Sequence, residues 1–221
     1  MKNIFCLFRG KGFKETMNIK VENSIPNIKV SVNQNADGSF SIALSEVGSV
    51  SKKLLRDIPC GGTFRIGDHE FVVLEQSDDT TAVITKDSVK KMAFGKDGNY
   101  VNSDIRKYCN GEFFDKIACE IGAVNIVEHT VDLMADDGTG KNISCKDKVS
   151  ILTTDLYRRY REFLPACGYS WWLATRVSAS IKDWARCVCC VCSDGTLNWS
   201  DCGYSLVVRP FLILKSSISV S

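Results

Sequence analysis

The sequence predicts an α+β protein, in which strands and helices occupy separate stretches of the chain instead of alternating. Residues 18–86 contain short runs of alternating apolar residues, two helical stretches follow between residues 103 and 164, and residues 171–214 return to strand patterns. A chain of 221 residues with 44% apolar residues is long and apolar enough to bury a sizeable core. We therefore expect one larger domain that carries a small appendage.

The N-terminal part of the chain predicts a leader followed by a β-hairpin. Residues 1–17 are basic and show no periodic pattern, so we expect them to form a disordered leader. In residues 18–50, two alternating apolar runs flank the turn NQNADGS, which predicts a small hairpin with one apolar face. The apolar positions of these runs are Ile28, Val30 and Val32 before the turn and Phe40, Ile42 and Leu44 after it.

The larger domain, residues 51–221, is expected to begin with three strands and to continue with two helices. The runs GTFRI, HEFVVLEQ and TTAVITK within residues 62–86 predict a meander. The first helix covers NSDIRKYC and EFFDKIACEI, with Ser103 and Asp104 available as caps and an interruption at Asn110-Gly111. The second helix covers TTDLYRRYREFL, with Thr154 or Asp155 at its start and Pro165 just beyond its end.

The C-terminal region predicts strands joined by turns. WWLAT and ARCVCCV are extended runs, SDG forms a turn, TLNW follows, and YSLVVRPFLIL predicts one long terminal strand. Trp171 and Trp172 lie in an apolar run, so we expect them in the core. For Arg209, within the terminal strand, we expect a structural ion pair or contacts with backbone carbonyls.

Composition excludes several classes of partner. The formal net charge of +2 is too small to indicate a nucleic-acid-binding protein. The chain contains no apolar run of the ~18 residues that a transmembrane helix needs, so we expect no membrane insertion. The run IFCLF near the N-terminus is too short for a signal peptide. We therefore expect synthesis in the cytoplasm, where structural disulfides are rare.

Five of the eleven cysteines, Cys187, Cys189, Cys190, Cys192 and Cys202, fall within one stretch of the chain. On a strand, Cys187 and Cys189 would point to one face of the sheet and Cys190 and Cys192 to the other, so four sulfurs could not converge on one ion. The two histidines, His69 and His129, are not adjacent to a cysteine pair. We therefore expect neither a metal nor a cofactor, and cysteines that fill space as small apolar residues remain an open reading.

Several motifs resemble a family that is common in gut bacteria and their phages, over about residues 62–214. Its members typically carry WWLRSP, a V-x-x-DG hairpin and a terminal GVRPAL strand, and this chain reads WWLAT, VCSDGTLNW and VVRPFLIL. The segments GTFRIGDHEFVVLE, NSDIRKYCNGEFFDKI and DKVSILTTDLYRRY resemble the earlier elements of that family and follow in the same order. ATR in place of RSP after Trp-Trp-Leu is a departure from its pattern.

The resemblance implies a C-type-lectin-like fold: small twisted antiparallel sheets, two helices and a long irregular C-terminal hairpin region that presents a ligand-binding surface. Some members are variable proteins of diversity-generating retroelements, in which adenines of AAC codons are randomised. Such codons cannot become Trp, Met, Gln, Glu or Lys, and between Arg186 and Leu206 only Trp199 belongs to that set. Cysteine is an allowed product, so the cysteines are candidate variants, with Val188, Val191, Ser193-Asp194-Gly195 and Trp199 as fixed positions.

The resemblance thus implies a non-enzymatic protein that recognises a receptor or host surface through a protein or glycan ligand. The contact candidates are Arg186, Cys187, Cys189, Cys190, Cys192, Trp199, Ser200, Asp201, Cys202 and Tyr204. An alternative hypothesis is a copper oxidase of the formylglycine-generating type, in which Cys187, Cys190 or Cys192 forms the pair of active-site cysteines together with Cys202. A third is a structural component of a virion, and contacts with virion proteins or with a second copy of the chain stay open.

Overall fold

The computed structural model describes residues 28–35, 37–46, 52–164 and 166–221. The predicted leader, residues 1–17, and Pro165 lie outside the described residues. The chain divides into two compact units, residues 1–50 and residues 51–221. The strands are β1 (Ile28–Gln34), β2 (Phe40–Glu46), β3 (Lys53–Leu54), β4 (Thr63–Ile66), β5 (His69–Gln76), β6 (Thr80–Thr85), β7 (Lys90–Ala93), β8 (Ile126–Val127), β9 (His129–Asp132), β10 (Ser144–Asp147), β11 (Val149–Ile151), β12 (Trp171–Arg176), β13 (Cys187–Val191), β14 (Leu197–Asp201), β15 (Ser205–Val208), β16 (Pro210–Lys215) and β17 (Ser219–Val220).

The first unit contains the predicted hairpin. Strands β1 and β2 pair antiparallel, with Val32 opposite Ile42 and Gln34 opposite Phe40. The turn between them is closed by the Asp37 carboxylate, whose Oδ1 accepts hydrogen bonds from the Ser39 backbone N–H and hydroxyl at 2.9 and 2.6 Å.

The same Asp-Gly-Ser/Thr turn occurs twice more, in the second unit. Asp137 accepts from the backbone and hydroxyl of Thr139, and Asp194 accepts from those of Thr196 in the same way. The central glycine has a positive φ, 85° at Gly195, which a residue with a β-carbon rarely adopts. Because the carboxylate satisfies the turn's own donors, the predicted SDG turn holds the register of β13 and β14.

The second unit is a mixed α+β arrangement of small sheets and helices, as the sequence predicts. One sheet has the strand order β11-β16-β6-β5-β4, with β8 pairing alongside β16, and includes the predicted meander β4-β5-β6. The other has the order β14-β13-β12-β15-β7. Its strands pair antiparallel except β12 and β15, which run parallel. Two smaller ribbons pair β9 with β10 and β3 with β17.

Two helical segments pack against these sheets, one in each of the two core clusters, so the sheets bury apolar residues on both faces. The first helical segment consists of α1 (Asp104–Tyr108), a π-helical turn (Cys109–Phe113) and α2 (Phe114–Ile121). Asn110-Gly111 therefore widens one turn and does not end the helix. The second helix, α3 (Thr154–Tyr160), is followed by a 3₁₀ turn (Arg161–Phe163).

Both helix starts are capped by hydroxyl groups. The Ser103 hydroxyl accepts a hydrogen bond from the Arg106 backbone N–H at 3.0 Å, which confirms Ser103 as a cap. For α3 the cap is Thr153, whose Oγ1 accepts from the Leu156 N–H at 3.3 Å. The helix itself begins at Thr154, one of the two residues predicted at its start, and the capping residue lies one position before it.

The predicted single terminal strand is wrong. It breaks at Arg209 into β15, which belongs to the five-stranded sheet, and β16, which belongs to the six-stranded one. Pro210 has no backbone N–H and restricts the residue before it, which favours such a break. The Arg209 side chain is 0% exposed, donates from Nε to the Thr85 carbonyl at 3.1 Å and lies over the Trp171 ring, so the expected carbonyl contact is present.

Candidate functional site

Strand β13, which carries four of the clustered cysteines, is an interior strand of the five-stranded sheet. It pairs with β12 on one side and with β14 on the other. Alternation holds as predicted: Cys189 and Val191 pack into the cluster that contains α3, whereas Val188 and Cys190 pack into the cluster that contains α1 and α2. Both faces of this strand are therefore core-facing.

This double burial corrects part of the predicted contact set. Cys189 was a predicted ligand contact, but only 5% of it is exposed, because the residues around α3 cover that side of the strand. Cys190 is 4% exposed and Cys202 is 0% exposed, so neither offers a surface to a ligand. Cys187 and Cys192, at the two ends of the strand region, are half-buried.

The buried thiols are held in their neutral form. Burial raises the pKa of Cys189 to about 11 and that of Cys190 to about 12, and it also raises the pKa of Cys202. A reactive or metal-binding cysteine works as the thiolate, which such surroundings disfavour. The arrangement therefore suits packing better than nucleophilic chemistry.

Neither disulfide bonds nor clustered metal ligands are found in the described part of the chain. The ten cysteines within it carry free thiols. In the described ranges, no group of three or more His, Cys, Asp or Glu side chains is placed to hold a metal ion. The carboxylate pairs Asp78-Asp79 and Asp136-Asp137 are exposed and lie in bends and turns of the chain. One of them, Asp136, pairs with Arg158 at 3.1 Å.

The neighbouring strand, β14, is the edge of the same sheet and is largely exposed. Leu197 is 38% exposed and Trp199 is 49% exposed. The Trp199 ring packs edge-to-face against Trp184, with 5.2 Å between centroids and an interplanar angle of 76°. Tyr204, just beyond the strand, is 67% exposed. These aromatic side chains form an amphipathic surface of the type that binding sites use.

An ion pair stiffens this surface at the start of the hairpin. Arg186 donates from Nε and Nη2 to the two carboxylate oxygens of Asp201, at 2.9 and 2.7 Å. Its third nitrogen, Nη1, donates to the Lys96 carbonyl at 2.8 Å, and the Asp201 carboxylate also accepts from the Gly203 N–H. The guanidinium lowers the pKa of Asp201. Since both groups are exposed, the pair adds little stability and mainly fixes geometry.

Some backbone groups of β14 face away from β13 and do not take part in the pairing of these two strands. Cys202 donates its N–H to the Arg186 carbonyl, so in the antiparallel register the backbones of Leu197 and Trp199 point away from β13. The Trp199 N–H is taken up by the neighbouring Asn198 Oδ1 at 2.8 Å. Because the Asn198 side chain occupies this N–H, the group is not available to pair with a strand of another molecule, which disfavours edge-to-edge association.

We call the exposed and half-buried residues on and beside this strand the β14 surface; it comprises Trp184, Arg186, Leu197, Trp199, Asp201 and Tyr204. The structure thus brings together three exposed or half-exposed predicted residues, Arg186, Trp199 and Asp201, with Tyr204 close in sequence. Ser200 is half-buried on the other side of the strand. Trp199, expected to be a fixed position, is half exposed. Trp184 and Leu197 were missed, although a tryptophan within the polar loop SIKDWAR was an available signal.

No helix among the described residues has the length and apolarity needed to cross a membrane. Comparison of the chain with protein-family models, curated proteins and solved structures finds no match.

Proposed function

We propose that this protein is a non-enzymatic ligand-binding protein with a C-type-lectin-like fold, and that the β14 surface contacts its target. The observation that carries the proposal is the half-exposed Trp199 ring of the edge strand β14, which packs against the half-buried Trp184 and lies beside the Arg186–Asp201 ion pair. Rigid aromatic side chains next to adaptable polar groups are the composition of antibody-like recognition surfaces. The α+β arrangement with two helices and small sheets supports this fold.

Diversification by a retroelement is the second part of the proposal. The exposed residues Arg186, Leu197, Asn198, Asp201 and Tyr204 all belong to the set that a randomised AAC codon can encode. Trp199 and Trp184 fall outside that set and would serve as constant aromatic anchors. Cys189, Cys190 and Cys202 are allowed products too, but their burial assigns them to the scaffold.

The coding DNA tests the diversification directly. We expect a nearby repeat that is nearly identical to the segment encoding residues 186–206 and differs from it at adenines of the template. The differences should fall on codons of exposed positions. Absence of such a repeat would remove diversification from the proposal, and differences concentrated on Val188, Cys189 and Cys190 would contradict the division into scaffold and surface.

Binding can be tested separately, with a glycan array and a panel of fixed bacterial cells as probes. Truncating a central aromatic contact typically costs ~2 kcal/mol or more of binding free energy, so Trp199→Ser should weaken binding by about thirtyfold or more. Lys107→Gln, on α1, is the control and should bind like the parent protein. Equal binding by both variants would place the contact surface elsewhere.

An oxidase of the formylglycine-generating type and a structural virion role remain the rival proposals. The oxidase would need reactive paired cysteines, and Cys190 and Cys202 are both buried with raised pKa values. Their environment therefore favours the binding protein over the oxidase.

A further inference from the structure

A separate cleft lies at the opposite edge of the five-stranded sheet from β14. Its volume is about 500 Å³, and it is formed by β7, β15 and the loop before β12. The lining side chains that matter here are Ser88, Lys91, Tyr169, Ser170, Ser205 and Val207. Clefts of this size, roughly 300–1,000 Å³, are typical of sites for small molecules.

The cleft has an apolar floor and an aromatic wall. In the pairing of β15 with β7, Val207 lies opposite Lys91 and Ser205 lies opposite Ala93, so these side chains share one face of the sheet. Val207 is buried and forms the floor, whereas Tyr169 is 64% exposed. The Ser170 carbonyl accepts a hydrogen bond from the Val207 N–H at 3.1 Å, which ties the loop of Tyr169 to the strand.

The polar groups of the cleft have unused hydrogen-bonding capacity. Within the described residues, no side-chain hydrogen bond is formed by the hydroxyls of Ser88, Ser170, Ser205 or Tyr169, and the Lys91 ammonium has no carboxylate partner. The neighbouring Lys90 is different, because it pairs with Glu112 at 3.1 Å and lies over the Tyr108 ring at 4.3 Å. Among the described residues, a lysine without a carboxylate partner therefore lies beside several hydroxyls without side-chain partners and one accessible aromatic face.

We propose that this cleft binds an acidic sugar, a pyranose that carries one carboxylate. The C–H face of the ring would pack on Tyr169, the serine hydroxyls would exchange hydrogen bonds with the sugar hydroxyls, and Lys91 would bind the carboxylate. A single ammonium matches the single charge of a uronic acid better than it matches the multiple charges of a phosphorylated ligand. The site does not involve the β14 surface, so this proposal stands independently of the function proposed above.

An amide NMR titration with glucuronic acid, glucose and acetate tests the proposal. We expect glucuronic acid to shift the amide signals of Ser170, Ser205 and Val207, and to bind about tenfold more tightly than glucose, because a hydrogen bond to a charged group is stronger than one between neutral groups. Acetate, which lacks the ring, should bind more weakly than glucuronic acid. No shift of these amides with glucuronic acid, or equal binding of all three compounds, would overturn the proposal.

Matched variants separate binding in the cleft from nonspecific effects. Lys91→Gln should reduce the affinity for glucuronic acid to that for glucose, and Tyr169→Ala should weaken both sugars. Lys107→Gln and Val124→Ala replace exposed residues outside the cleft and should leave both affinities unchanged. If Lys91→Gln keeps the preference for glucuronic acid, or if Val124→Ala weakens binding as much as Tyr169→Ala, the assignment of the site is wrong.

A further experiment distinguishes a free uronic acid from a uronic acid at the end of a glycan chain. A disaccharide with a terminal glucuronic acid should bind if the natural ligand is the end of a glycan chain. Binding of the free sugar alone would assign the cleft to a free uronic acid, and failure of both would overturn the proposal.

Discussion

Strands β13 and β14 belong to one hairpin and pair residue for residue, yet they lie in opposite environments. From Val188 to Val191, every residue of β13 is buried, whereas Leu197, Asn198 and Trp199 of β14 are exposed. The difference comes from position in the sheet. Among the described strands, β13 has a neighbour on each side and a core cluster on each face, whereas β14 pairs with β13 alone. A run of cysteines and a run of polar and aromatic residues therefore serve different purposes within the same hairpin.

This comparison separates residues that maintain the fold from residues that are free to vary. Substitution on β13 changes packing on one side or the other of the sheet, so it affects stability first. Substitution on β14 changes what the surface presents, with little effect on the core. A protein that diversifies its binding surface would place variable positions on the edge strand, next to an interior strand that resists change.

The largest difference in stability is expected between the substitutions of a core tryptophan and of a surface tryptophan. Trp172 is 0% exposed and donates its Nε1–H to the Met92 carbonyl at 3.1 Å, so Trp172→Ala should lower the free energy of unfolding by about 3–5 kcal/mol. Trp199→Ala should cost less than ~1.5 kcal/mol, because it removes a half-exposed ring and one aromatic contact. Urea unfolding followed by circular dichroism measures both. Equal losses would break the distinction between scaffold and surface.

Smaller effects are expected along β13 itself. Cys189→Ser and Cys190→Ser each place a hydroxyl in an apolar site, which should cost about 1–3 kcal/mol. Cys187→Ser, at the half-buried start of the strand, should stay within about 0.5 kcal/mol. Thermal unfolding of the three variants under reducing conditions provides the ranking. If Cys189→Ser is as mild as Cys187→Ser, the α3 side of the strand is not a true core.

The buried thiols also predict a dependence of stability on alkaline pH. In the unfolded chain thiols lose their protons near their ordinary pKa of about 8.5, whereas the native pKa values of Cys189 and Cys190 are about 11 and about 12. Below pH 8.5 both states hold these protons, so the thiols add no pH dependence. Above it the unfolded state releases protons that the native state retains, so the free energy of unfolding falls until the native thiols titrate as well.

Variants assign this alkaline loss to the two thiols. The midpoint of unfolding should decline between pH 8.5 and 10.5, and Cys189→Ala or Cys190→Ala should make that decline less steep. Cys119→Ala, at an exposed position on α2, is the control. A decline that keeps its full slope in both buried-site variants would show that other groups cause it.

Local features of this fold could be predicted from the sequence, but the surroundings of each strand could not. Alternation correctly gives the two faces of β13, and the Asp194-Gly195 turn correctly gives its partner strand. What covers each face depends on α3 and on the six-stranded sheet, which are distant in sequence, and so Cys189 was assigned to the wrong environment. The division of the terminal strand at Arg209 was signalled by Pro210, but the apolar residues on both sides obscured it.

The surfaces at the two edges of the five-stranded sheet also differ in how far the sequence predicts them. The β14 surface comes mainly from one continuous segment, so most of it could be predicted. The cleft joins Lys91, Tyr169 and Ser205 from three separate segments, each with an ordinary local sequence, and only the pairing of β7 with β15 brings them together.

The most direct test of the division between β13 and β14 is alkylation of the native protein with iodoacetamide, followed by peptide mass spectrometry. We predict rapid labelling of the exposed Cys60 and Cys119, and protection of Cys189, Cys190 and Cys202 until urea unfolds the chain. The neutral form of the buried thiols adds to their steric protection. Labelling of Cys189 and Cys190 in the native protein as fast as that of Cys119 would contradict the assignment of β13 to the scaffold.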